Sequence, residues 1–174
     1  MDKIKNVAVI GAGLMGAGIA QVVAQAGFEV TLRDVNDDVL QKARGTIEKK
    51  LASAVTKKRL EEAEAKSVLD RLRFTTDSSL ALADAQYVIE AVPEILELKR
   101  RVFTEIDDLA PDDAVLATNT SELSIASIAG VTKRPDRVIG THWFFPPQVM
   151  KLIEVVTADE TSPGTLETTL EFCA

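Results

Sequence analysis

Apolar positions along the chain alternate between two periods. Asn6–Ile10 (NVAVI) is a short β-branched run that predicts a buried parallel strand. Leu14–Ala26 then follows a helical spacing, closed by Gly27, a residue suited to the position just past a helix end. Phe28–Leu32 predicts a second strand. Asn36 can cap a helix running from Asp37 to Val55, and a charged helix spans Leu60 to Arg71. Those two helices predict a hairpin inserted between strands. Arg71–Thr75, Gln86–Val92, Ala114–Thr118, Arg137–Thr141 and Leu152–Val156 supply five further strands. Pro93 is expected at the first position of a helix reaching Leu109. Strands alternating with helices specify an α/β fold, a Rossmann-type doubly wound and mostly parallel sheet. After Ser162-Pro163 a last helix begins, with Leu166, Leu170 and Cys173 on one face.

Composition narrows the picture. The chain has 174 residues, 46% of them hydrophobic, enough for one domain with a real core. A single cysteine, Cys173, excludes a disulfide framework and a cysteine-based zinc site, and no metal is expected. No apolar run approaches the roughly 20 residues of a membrane span, and the start MDKIKN has no signal-peptide core. The expected setting is cytoplasmic. The net charge of −7 argues against nucleic acid. Residues 41–73 nevertheless carry net +5 on an acidic remainder of −12. That island suits a local anionic ligand; a solvated helix face is its plainer reading.

Residues 11–16 read GAGLMG, directly after one predicted strand and at the opening of a helix. That context turns a weak motif into a dinucleotide fingerprint. Gly11 permits the tight turn, Gly13 lets the backbone approach a pyrophosphate, and Gly16 lets helix pack on strand. Free N–H groups at the helix start meet the phosphates. Asp34 stands where the acid of the fingerprint belongs, able to accept from the ribose hydroxyls and to repel a 2′-phosphate. NAD is therefore expected over NADP, with the acid outweighing the neighbouring Arg33.

His142 is the only histidine; it follows the predicted strand RVIGT. Glu154 sits inside the apolar run LIEVV, where a buried carboxylate needs a partner. His142 is the natural one, and a carboxylate that orients an imidazole makes it a competent base. A structural His–Glu pair, or a Glu154 facing solvent, is the other reading of the same residues. Asn119, Thr120 and Ser121 follow the strand AVLAT and suit either a ligand carbonyl or a helix cap.

The segments VAVIGAGLMGAGIA, RD, VIEAVPE, NTSELSI and GTHWFFPPQVMKLIEVV together resemble the 3-hydroxyacyl-CoA dehydrogenase family over nearly the whole chain. The resemblance implies NAD-dependent oxidation of L-3-hydroxyacyl-CoA to 3-oxoacyl-CoA in fatty-acid metabolism, with an acyl-CoA as partner. It implies His142 as base, Glu154 as its carboxylate partner and Ser121 as the contact for the substrate oxygen. Leu14, Met15, Ala91, Val92, Glu94, Lys99 and Asn119 resemble residues lining the NAD site. Lys50 and Lys57 match contacts for CoA phosphates. Phe145 stands where the family often has asparagine. The family adds a helical domain for dimerisation and substrate binding. Residues 1–174 are thus expected to be an NAD-binding domain cut from a longer protein, self-associating, able to bind NAD and turning over little. A dehydrogenase of a free hydroxy acid and a non-catalytic nucleotide module are the competing functions.

Overall fold

The computed structural model describes residues 4–174; the first residues, MDK, lie outside the described part. Seven strands form one sheet. They are β1 (Asn6–Ile10), β2 (Glu29–Arg33), β3 (Leu72–Thr75), β4 (Tyr87–Glu90), β5 (Val115–Thr118), β6 (Val138–Trp143) and β7 (Ile153–Val156). Their spatial order is β3-β2-β1-β4-β5-β6-β7. The first six run parallel, and β7 pairs antiparallel with β6. The order reverses between β1 and β4, which opens a crevice at their carboxyl ends, the place where α/β sheets bind ligands.

The two-residue period of the strands divides the core. Val7, Val9, Val30, Leu32, Tyr87, Ile89 and Ala117 face one layer. That layer is α1 (Leu14–Gln25), α2 (Asp37–Thr56), α3 (Glu62–Asp70) and part of α7 (Pro163–Cys173). Ala8, Ile10, Val88, Leu116 and Val138 face the other, built from α4 (Ser78–Leu82), α5 (Leu96–Leu109) and α6 (Ile125–Ala129). Both faces of the central strands are therefore apolar, as a parallel sheet demands. The predicted hairpin is α2 and α3. Asn36 caps α2 through Asp38 N–H at 2.8 Å, and Gly27 follows α1 with φ +103°.

Four expectations need correction. Pro93 does not open α5: Ile95 is its cap and the helix starts at Leu96. Residues 91–95 are instead spent on the crevice, where Ala91 N–H reaches Ile10 O and Ile95 N–H turns back on Pro93 O. For the same reason β4 stops at Glu90 rather than Val92. Glu154 is not buried, because β7 is the outermost strand and alternates half-buried and exposed positions. The inner line of α7 is not Leu166–Leu170–Cys173 either. Thr165 and Thr169 are fully enclosed while Leu170 is exposed. Both threonines satisfy their hydroxyls, Thr165 on Asp136 O and Thr169 from Tyr87 Oη, so polar groups can take the inner line. The Phe172 ring stacks on Tyr87 beside them.

The short helices α4 and α6 were not expected from periodicity; five residues are too few to show one. Among the described residues, no helix is long and apolar enough to cross a membrane.

Candidate active site

The glycine turn is built by close backbone approach. Gly11 has φ +100°, and a Cβ there would lie 2.7 Å from Ala91 O. A Cβ on Gly16 would lie 1.7 Å from Gly11 O, so the first turn of α1 rests directly on the loop. Gly13 differs: nothing lies within 4 Å of where its Cβ would stand. That open space, at the cap of α1 and facing the crevice, fits a pyrophosphate against bare backbone. Leu14 beside it is largely exposed and Met15 is half-buried against the core.

Asp34 holds the turn from the second strand. Its Oδ2 accepts Ala12 N–H at 2.8 Å and its Oδ1 accepts Asn36 N–H at 3.2 Å. A carboxylate has about four acceptor directions, so ribose hydroxyls can still be received. Arg33, its neighbour, is turned elsewhere: its guanidinium lies 3.5 Å from Glu105 on α5 and its side chain is only 12% exposed.

Across the crevice, Val92 N–H donates to Glu90 Oε1. Glu94 leans over the turn after β5. One oxygen, Oε1, accepts the Thr120 hydroxyl, Ser121 N–H at 2.9 Å and Glu122 N–H at 3.4 Å. The other, Oε2, meets Lys99 Nζ at 3.2 Å. Burial alone would push Glu94 up, but the hydrogen bonds from Thr120 and Ser121 and the Lys99 charge outweigh it and hold the carboxyl below its usual range. Lys99 itself is enclosed, 1% exposed, and presents no surface to the crevice.

Asn119 joins this side to the histidine. Its N–H donates to Glu90 O, and its Oδ1 accepts Trp143 N–H at 2.9 Å. His142, the residue before Trp143, stands directly opposite Glu154 in the β6–β7 register. Side chains at such a position share one face, and Nδ1 meets Glu154 Oε2 at 2.8 Å. The pair foreseen from an apolar strand exists, though cross-strand register rather than burial makes it. Nδ1 so engaged leaves Nε2 as the ring nitrogen free to exchange a proton. The imidazole also lies 4.7 Å from the Phe144 ring. A cleft of about 400 Å³ is lined by Ser121, His142 and Glu154, with Ser124, Thr157 and Asp159 around them.

The structure thus gathers the glycine turn, Asp34, Ala91, Val92, Glu94, Asn119, Ser121, His142 and Glu154 along the carboxyl edge of the sheet. It does not bring Lys50 and Lys57 there. α2 leads away from that edge, so Lys50 stands about 20 Å and Lys57 about 30 Å along it from Asp37. Both are exposed. Phe145 is also exposed, at 61%. Sequence reasoning missed Glu90 and Thr118, both buried at this edge. An acid inside the apolar run YVIEAV was the available signal for the first.

A profile of the family described as "3-hydroxyacyl-CoA dehydrogenase, NAD binding domain" matches residues 6–174. The mitochondrial hydroxyacyl-coenzyme A dehydrogenase of Rattus norvegicus is 41% identical over 175 residues, covering 98% of this chain and 56% of that protein. The 3-hydroxybutyryl-CoA dehydrogenase of Clostridioides difficile is 41% identical over 167 residues, 96% of this chain and 59% of that one. The crystal structure of 3-hydroxybutyryl-CoA dehydrogenase from Escherichia coli K12 superposes with a TM-score of 0.96 at 42% identity, covering 98% of this chain and 36% of that chain. The chain spans about half the length of the curated relatives it matches.

Proposed function

The chain belongs to the 3-hydroxyacyl-CoA dehydrogenase family as its NAD-binding domain, and from that premise we propose that it serves the oxidation of an L-3-hydroxyacyl-CoA to the 3-oxoacyl-CoA. The observation that carries the proposal is the His142–Glu154 pair, at 2.8 Å, opening on the same cleft as Ser121. Asp34, the backbone at Gly13 and the α1 N-terminus would hold NAD, whose nicotinamide accepts the hydride when bound. His142 Nε2 takes the hydroxyl proton. Glu154 fixes the tautomer and stabilises the imidazolium that results. Ser121 holds the reacting oxygen. The reverse reaction returns the proton from the same nitrogen.

Cofactor choice tests the first half of this reading. Asp34 faces the glycine turn while Arg33 is held by Glu105. The chain should therefore bind NADH at least about tenfold more tightly than NADPH in calorimetric titrations, the margin of one charge repulsion near the ribose. Equal affinities would mean that Arg33 swings to the phosphate and that Asp34 has been misread.

The acyl-CoA half predicts a second result. Lys50 and Lys57, remote from the reacting carbon, suit the phosphates at the far end of a long substrate. In an enzyme containing this domain and the second half that the relatives possess, changing both to alanine should raise KM for acetoacetyl-CoA several-fold. It should leave a truncated thioester without the nucleotide unaffected, because the lost contact is remote from the chemistry. An equal effect on both substrates would return these lysines to a solvated helix face.

The exposed apolar residues Phe145, Val149, Met150 and Leu152 lie between His142 and β7, and Val156 ends that strand. A patch of that kind calls for cover, which supports a homo-oligomer or a second domain at this edge. We place the working enzyme in the cytoplasm.

A further inference from the structure

Glu90 is a buried carboxylate of the crevice that neither binding nor proton transfer uses. It ends β4 at the point where strand order reverses, and it is 0% exposed. Its Oε1 accepts Lys99 Nζ at 2.7 Å and Val92 N–H at 2.7 Å, and its Oε2 accepts the Thr118 hydroxyl at 2.6 Å. Lys99 has three protons to donate and three acceptors around it: Glu90 Oε1, Glu94 Oε2 at 3.2 Å and Val92 O at 3.3 Å. A buried pair so fully satisfied is seldom more stable than an apolar pair of the same size. Fixing a geometry is what such a network can do and an apolar core cannot.

The connections run in one direction, toward the site. Lys99 is shut away from the crevice, so it acts on a ligand only through the groups it holds. Through Glu94 it reaches the Thr120 hydroxyl and the N–H groups of Ser121 and Glu122. Through Thr118, Glu90 grips the end of β5, and its own carbonyl receives Asn119 N–H. Asn119 in turn accepts from Trp143, next to His142. We propose that Glu90 is a positioning residue: by locking Lys99 it aims Glu94 at the turn of residues 120–122 and sets Ser121 and Asn119 relative to the His142 strand. Glu94, which touches the turn directly, is the group through which it acts. The role at the cofactor rests on the reading above; the role at the turn does not.

The test uses the 174-residue chain and a pair of variants that leaves no buried charge unpaired. Glu90→Gln with Lys99→Met removes both charges at once, so folding should survive even if Glu90→Gln alone unfolds. In the ligand-free state, the amide NMR shifts of Ser121 and Glu122 should move toward their values in Glu94→Gln. NADH titration should show affinity lowered about fivefold or more in the paired variant. Most of that loss should vanish when it is introduced into a Glu94→Gln background, since groups acting as one unit are non-additive. A purely structural role gives a different set: a lower melting temperature, unmoved Ser121 and Glu122 amides, and a loss of affinity that simply adds to that of Glu94→Gln. Either the unmoved amides or the additive affinities would overturn the proposal. If the unaltered chain does not bind NADH, the cofactor reading fails, and the amide shifts alone still decide the positioning role.

Discussion

Replacing His142 with glutamine should lower turnover about 10²- to 10⁴-fold, the usual contribution of a positioned general base, while NADH affinity stays within about twofold. The measurement belongs in an enzyme containing this domain together with the second half that the relatives possess. Glutamine keeps the size of the side chain and can still donate toward Glu154, but it cannot take a proton. Because the base acts only as the hydroxyl proton leaves, the loss should appear in kcat far more than in KM for the cofactor. Glu154→Gln should act through the same ring. A neutral amide accepts from Nδ1–H more weakly and does not stabilise the imidazolium, so turnover should fall less than for His142→Gln. Its effect should largely disappear when His142 is already glutamine, because the two residues work as a unit. Near-normal turnover in His142→Gln would remove the base from the proposed reaction and leave the pair as a bracket between β6 and β7.

The His142–Glu154 pair marks how far the alternation along a strand reads. An acid within LIEVV implies burial, and a buried acid implies a partner, His142. The partner was right, yet β7 is an edge strand and the Glu154 side chain is 55% exposed. Alternation along a strand tells which residues share a face, not whether the strand lies inside a sheet or at its rim. That needs the neighbour on the far side. The same anomaly stands in YVIEAV, and there the inference of burial holds in full, because β4 is central and Glu90 is enclosed. The glycine turn, the capping Asn36 and the acid Asp34 were legible because each is a local device whose residue type follows from the backbone it must adopt. The Glu90–Lys99–Glu94 network was not, since what it grips, Thr118 of β5 and the turn of residues 120–122, meets β4 and the loop after it only once the sheet is assembled. Lys50 and Lys57 show the converse: a charge island is visible in one dimension, but its distance from the active edge follows from the length of α2.

Two of the three glycines within the turn, Gly13 and Gly16, should separate folding from binding. Gly16→Ala places a methyl group 1.7 Å from Gly11 O, a backbone atom with no flexible end that can yield. Either α1 lifts from β1 or the loop shifts, and overpacking of this kind costs about 1–3 kcal/mol or more. For a domain of this size that is a fall of several degrees in melting temperature, about 2–4 °C per kcal/mol. NADH binding should go with it, because the N–H groups at the head of α1 are aimed by the same contact. Gly13→Ala should behave oppositely. Its methyl meets nothing within 4 Å, and its backbone at φ −65° and ψ −168° is extended and open to alanine. Melting temperature should therefore hold within a degree or two. NADH affinity should fall about tenfold or more, because the methyl fills the space through which a pyrophosphate approaches the bare backbone. Calorimetric melting and NADH titration of the two variants, side by side, decide it. If Gly13→Ala bound NADH as tightly as the unaltered chain, the phosphates would have to lie elsewhere along the crevice. If Gly16→Ala kept both its stability and its affinity, the contact with Gly11 would not be what holds the turn in its binding shape.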